Sequence, residues 1–265
     1  MDTAALSDTE MLALLDWYRQ MGVDCALDET PRDRRTVDAA PAVSKAMPAP
    51  PKLSDPPAVV PPDEAAQTAR ELAAAAADLV ALRTALDGFD GCQLKQTATQ
   101  LVFGDGDASA DLMLIGEAPG RDEDRQGLPF VGRSGQLLNA ILGAIGLQRS
   151  QCYITNVIPW RPPGNRTPTP QETEICRPFI ERHIELVQPK IVVCLGGAAA
   201  KTLLQTTDGI MRLRGDWKEL RHGAHAAAAM ATLHPAYLLR QPAQKALVWR
   251  DFQAIRARLS DADTR

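Results

Sequence analysis

One short apolar run that ends abruptly in a glycine turn constrains this chain more than any other feature. Asp111 to Ile115 (DLMLI) is followed at once by Gly116-Glu117-Ala118-Pro119-Gly120. Such a run reads as a buried parallel strand. Two glycines and a proline in the turn let backbone amides approach a ligand closely, at the place where an open parallel sheet presents its crevice. A charged loop comes next, then a second turn at Leu128-Pro129, then Phe130-Val131-Gly132, which sets an apolar ring in a polar connection. A lone phenylalanine there would simply plug the gap between loop and sheet. Two later segments change its meaning. Tyr153 to Pro159 (YITNVIP) has a strand's pattern but carries Asn156, and Ala231 to Ala236 (ATLHPA) is a short strand running into His234-Pro235. A buried amide must find partners for both ends of its side chain, so core strands seldom hold one. Three strand ends therefore deliver an acid (Glu117), an amide (Asn156) and an imidazole (His234) beside a ring.

The rest of the pattern places these ends in a layered domain. Asp63 to Leu86 reads as one Ala-rich helix with Asp63 and Glu64 in its first turn, and Gln100 to Phe103 as a strand. Helices are expected over 134–145, 170–187, 198–204 and 243–259, with a buried strand over 191–195. Strands alternating with helices imply a parallel sheet covered on both faces. The expected class is α/β, three layers α/β/α around a central, mostly parallel four-stranded sheet. Ahead of this catalytic domain, 63–265, lie two further regions. Residues 1–29 hold a short amphipathic helix, Asp8 to Met21, and 30–62 form a Pro/Ala-rich disordered linker too poor in apolar groups to offset its chain entropy.

Four segments in order, GEAPG (116–120), PFVG with SG (129–135), TNVIPWRPPGNRTPTPQE (155–172) and LHPAYLLR (233–240), resemble the uracil-DNA glycosylase superfamily. The resemblance spans about residues 90 to 257 and is greatest to family 4, whose members usually carry an iron-sulfur cluster. It implies an enzyme that flips uracil out of DNA and hydrolyses its N-glycosidic bond, leaving an abasic site. By that resemblance Phe130 stacks on the flipped base, Asn156 reads its Watson-Crick edge, and His234 donates to the O2 that gains charge as the bond breaks. Gly116, Ala118 and Gly120 offer backbone amides to the uracil or the adjacent phosphate. Glu117 either positions water or shapes the pocket, because the aspartate that activates water in other families falls one position later, at Ala118. Arg161, Asn165 and Arg166 form a rigid basic loop suited to phosphates. In the run after His234, Tyr237 or Leu238 would fill the hole left by the flipped nucleotide while Arg240 meets the backbone. One of Leu238 and Leu239 would instead pack at the start of a helix.

The chain departs from family 4 at the cluster. Of the four cysteine positions only the second and fourth are kept, as Cys92 and Cys176; Phe89 stands at the first and Trp160 at the third. Two rings in place of two thiolates remove ligands and fill the cavity, so the expectation is no metal, no 4Fe–4S cluster and an aromatic plug in its position. Cys152 and Cys194 read as small core hydrophobes, and the five cysteines give no disulfide framework.

The net charge of −4 hides an asymmetry: residues 1–110 hold 9 Lys+Arg against 18 Asp+Glu, and 111–265 hold 20 against 15. The positive half is the half with the motifs, as a DNA-binding domain requires. No apolar run is long enough to span a bilayer and the acidic start lacks a signal peptide's basic residues, so the expected setting is cytoplasmic; separately, the chain is expected to be a monomer. The acidic N-terminal region is expected to tether a repair or replication protein. Two other readings use the same fold: a non-catalytic uracil-DNA-binding protein, against which Asn156 and His234 speak, and a covalently trapping one. The latter carries a basic insertion ahead of its histidine loop, which the short stretch Gly132 to Gln136 cannot hold. A metal-dependent hydrolase built on Asp122, Glu123 and Asp124 is the weakest alternative, since adjacent loop carboxylates read as a solvated face.

Overall fold

The structure is a computed structural model that describes residues 61–263. The helix expected over 8–21 and all but the last two residues of the linker lie outside the described residues. Six strands form one sheet in the order β1-β3-β2-β4-β6-β5. They are β1 (Asp105–Gly106), β2 (Leu112–Gly116), β3 (Tyr153–Asn156), β4 (Ile191–Leu195), β5 (Trp217–His222) and β6 (His225–Thr232). The four central strands, β3, β2, β4 and β6, are mutually parallel. The expected four-stranded parallel core is present, and an antiparallel strand is added at each edge.

The sheet's period of two sorts its side chains between the helical layers. Met113, Ile115, Val192 and Cys194 join the buried cluster on one face. The helices there are α1 (Pro62–Ala75), α2 (Leu79–Gly88), the short α3 (Leu94–Thr97), α6 (Pro170–Val187) and α7 (Gly197–Leu204). Leu112, Leu114, Val193 and Leu195 join the cluster on the other face. That face is covered by α5 (Arg133–Ala144), α9 (Pro235–Arg240) and α10 (Lys245–Asp263). Two shorter helices, α4 (Arg121–Gln126) and α8 (Ile210–Leu213), complete the set.

Three expectations about elements change. The single helix over 63–86 is two, broken at Ala76, because the Asp78 side chain accepts from the Ala81 amide and caps a new start. The carbonyl of Ala76 is taken up by Arg182 of α6, so a polar contact from another layer replaces helix continuity. The segment expected as a strand over 100–103 is irregular, tied by the Val102 amide to the Pro159 carbonyl. The strand expected over 231–236 starts at His225, pairs with β5 through a tight turn at Gly223, and ends at Thr232. Pro235 then opens α9, since a proline at the first helical position loses nothing.

Candidate functional site

Gly116 lies buried beneath the site and is not itself part of the cleft lining, so its amide is not brought to the cleft as expected. It ends β2 and lies beside Asn156 at the end of β3 in the parallel register. A Cβ built on Gly116 would come within 2.4 Å of Asn156 Oδ1 and 2.6 Å of Phe130 Cζ. Only a glycine lets the amide and the ring converge here. The Asn156 side chain is buried, yet among the described residues it has no hydrogen-bond partner. The side chain lines the cleft, so its donor and acceptor are left to whatever enters there.

His234 closes the opposite wall. As the N-cap of α9 it accepts the Ala236 amide on Nδ1 at 3.1 Å, so a neutral ring carries its hydrogen on Nε2. Burial, with the Arg240 charge adding to it, pushes the imidazole pKa down to about 4. The ring is thus a neutral donor near pH 7. It lies 5.5 Å from the Phe130 ring, centroid to centroid, at an interplanar angle of 30°. Behind it Gly196, at φ +99°, brings the turn after β4 against the His234 Cβ.

Phe130 itself holds a left-handed backbone at φ +52°, which a bulky residue adopts only when its surroundings over-determine it. Its carbonyl packs on Gly135, where a Cβ would be 1.8 Å away. Glu123 accepts from the next two amides, Val131 at 3.0 Å and Gly132 at 2.9 Å. The cleft bounded by these groups has a volume of about 420 Å³ and includes Glu117, Phe130, Asn156 and His234 in its lining. Burial raises the Glu117 carboxyl above its ordinary pKa, and among the described residues its side chain has no bonded partner. Ala118 and Gly120 also line the cleft.

The residues expected to meet DNA fare differently. Asn165, Arg166, Tyr237 and Arg240 line the cleft. Arg166 is already bound by both oxygens of Glu172, at 2.8 and 2.6 Å. Arg161 donates to Asn165 at 2.7 Å and stands 4.0 Å from Asp124. The loop is braced internally instead of being a row of free cations. Leu238 is a correction: it is 0% exposed and belongs to the core beneath α9, so it cannot enter a helix of DNA. Its neighbour Leu239, 39% exposed, faces outward.

The acidic triplet is also corrected. Asp122 pairs with Arg125, but Glu123 and Asp124 are buried within α4. Asp124 accepts from the Thr99 amide and hydroxyl at 2.8 and 2.9 Å. These carboxylates brace loops; they are not a solvated face. Glu123 was legible only as a charge among charges, because its role depends on amides eight and nine residues later. Ser134 and Thr167 also join the lining with no signal beyond their place in the motifs.

At the expected cluster corner, Cys92 and Cys176 are buried with their sulfurs 3.8 Å apart. Phe89 and Trp160 are 3% and 2% exposed, and Phe89 packs on Phe179 at 5.2 Å. Two thiols, with buried rings at the positions where the resemblance puts the other two ligands, do not make the four-thiolate set that a 4Fe–4S cluster needs. These residues do not fit that group.

A three-layer α/β/α domain with an unspent amide, a neutral imidazole and an aromatic ring around one cleft at its strand ends is a binder of a planar heterocycle with polar edges. The family model described as "Uracil DNA glycosylase superfamily" matches residues 103–253, and the chain belongs to that superfamily. It is 41% identical over 168 residues to the type-4 uracil-DNA glycosylase of Archaeoglobus fulgidus, covering 62% of this chain and 84% of the relative. The type-4 enzymes of Sulfurisphaera tokodaii and Pyrobaculum aerophilum are 38% and 37% identical over 170 residues each. The first match covers 62% of this chain and 77% of its relative, and the second 63% and 87%.

Proposed function

We propose that this protein excises uracil from DNA by hydrolysing the N-glycosidic bond, and that it does so without an iron-sulfur cluster. The observation that carries the reading is the convergence of Phe130, Asn156 and His234 on one cleft above Gly116. Extruding a base costs a few kcal/mol and calls for a pocket beyond the stack. Phe130 supplies a face for the base, and the Asn156 amide donates to O4 and accepts from N3–H. Cytosine presents the reverse pattern and is refused. As the C1′–N1 bond lengthens, the sugar becomes oxocarbenium-like and negative charge grows on the base, greatest at O2. The Nε2–H of His234 is aimed to meet that charge. Water adds its oxygen to C1′, and its remaining proton balances the departing base at N1. The Glu117 carboxylate, partly desolvated and otherwise unengaged, is suited to orient that water. Tyr237, Leu239 and Arg240 on α9 and the braced loop at Arg161, Asn165 and Arg166 are the surfaces offered to the DNA.

A single-turnover assay on a uracil-containing oligonucleotide tests this. Release of free uracil with an alkali-labile abasic site is expected, and tight binding without release would leave only a uracil-DNA-binding protein. For the cluster, protein purified from iron-replete cells should lack a band at about 400 nm and hold far less than stoichiometric iron. A brown protein with about four irons per chain would overturn it.

The reading extends to a cytoplasmic monomer whose residues 1–62 tether a repair or replication protein. Among the described residues no helix is long and apolar enough to cross a membrane.

A further inference from the structure

Arg149 sits outside the cleft, in the 3₁₀ turn Arg149–Gln151 just before β3, and makes no contact that base recognition needs. Four of its guanidinium's five donors are nonetheless engaged. Nε donates to Asp105 Oδ2 at 2.6 Å, Nη2 to the Pro129 carbonyl at 2.6 Å, and Nη1 to the Phe130 carbonyl at 3.1 Å and to Asn139 Oδ1 at 3.3 Å. Two of these acceptors are consecutive carbonyls on the peptide units that fix the left-handed turn at Phe130. An exposed ion pair contributes little, but this one is only 21% and 33% exposed and its fork is geometrically matched to the backbone it grips. We infer that Arg149, anchored by Asp105, is a positioning residue that fixes the Phe130 ring over the cleft.

The fold explains why the grip is placed here. Asp105 in β1 pairs with Ile154 of β3, so the anchor is tied to the strand whose far end carries Asn156. One strand therefore sets both the height of the ring, through the turn before it, and the position of the amide at its end. From the other side Glu123 holds the Val131 and Gly132 amides. The peptide bearing the ring is clamped in front and behind, which is what a residue in a sparsely populated backbone region requires.

The inference rests on the proposed uracil excision, and a double-mutant cycle separates the two. Single-turnover rates and KM are measured for wild type, Phe130→Ala, Arg149→Ala and the double variant, with thermal melting to confirm folding. Arg149→Ala is expected to lower the rate on uracil about 10- to 100-fold, as loss of sub-ångström placement does. In the Phe130→Ala background the same change is expected to cost less than about twofold, because the ring it positions is gone. Equal losses in both backgrounds, or no loss from Arg149→Ala while Phe130→Ala is impaired, would overturn it. If Phe130→Ala left the rate unchanged, the ring would have no role to position and this inference would fail with excision intact; if the wild type released no uracil, the excision reading itself would fail. Should Arg149→Ala not fold, Asp105→Asn removes the anchor while keeping the fork. It is expected to give a smaller loss that also vanishes without the ring, and an additive loss would count against the role.

Discussion

Asn156→Asp is expected to lower uracil excision by on the order of 10³-fold and to confer a slow release of cytosine that the wild type lacks. The amide is buried and has no partner among the described residues, so whatever base enters must complete its pattern. Replacing its NH2 by oxygen sets an acceptor against the O4 of uracil, and two acceptors facing each other in a desolvated cleft repel. A protonated aspartic acid matches cytosine instead, accepting from the 4-amino group and donating to N3. Cytosine release by the variant should therefore grow as pH falls, and uracil release should partly recover over the same range, because the neutral acid with its hydroxyl in the place of the NH2 donates to O4 again. Paired oligonucleotides differing only in U or C, followed across pH, check this. A variant that kept full activity on uracil would show that the edge is read elsewhere.

His234→Ala is the second large effect, expected to cost about 10²- to 10³-fold in the chemical step with little change in binding, because its bond strengthens only as charge develops on O2. Its pH signature is equally specific. An imidazole pushed down to about 4 stays a neutral Nε2–H donor from pH 8 to 5, so no change in rate near the ordinary histidine value of about 6.5 is expected. An acid limb is expected from Glu117, whose carboxyl is raised by burial, and Glu117→Gln should lower the plateau and remove that limb. Stability follows by linkage. His234, and His183 at about 3, hold fewer protons folded than unfolded. Their contribution is complete above about pH 6.5 and is lost as pH falls toward the folded values, reaching its floor below them. The raised Glu117 and Asp251 work in the opposite sense over the carboxylate range. A rate that fell with an apparent pKa of about 6.5, and did so no longer in His234→Ala, would contradict the neutral donor.

Much of the site could be read directly from the chain because its chemistry sits at strand ends. An apolar run broken by glycine, an amide in a β-branched run and a histidine before proline are each local, and the parallel sheet brings such ends together by topology alone. The α/β class and three of its parallel strands were legible for the same reason. What escaped depended on distant partners. Nothing near Arg149 says that it holds the Phe130 turn 19 residues earlier. Most of β6 was hidden because HAAAAMAT has no β-branched residue before Thr232, and the edge strand β5, WKELRH, because charges interrupt it; pairing, not propensity, makes them strands. Leu238 and Leu239 are alike in sequence and opposite in burial, since only the seating of α9 decides which one turns inward. Glu123 and Asp124 looked like surface charge until the amides that they accept from were in place.

The hydrogen bond from the Ala236 amide to His234 Nδ1 joins two tasks that could have been separate. The same first turn of α9 that sets Tyr237 in the cleft lining and Leu239 outward also decides which nitrogen of the imidazole bears the proton. In the proposed mechanism, loosening that turn frees Nδ1 and lets the proton migrate there, which takes the Nε2–H donor out of the cleft. A main-chain amide thus sets the tautomer on which the proposed chemistry depends.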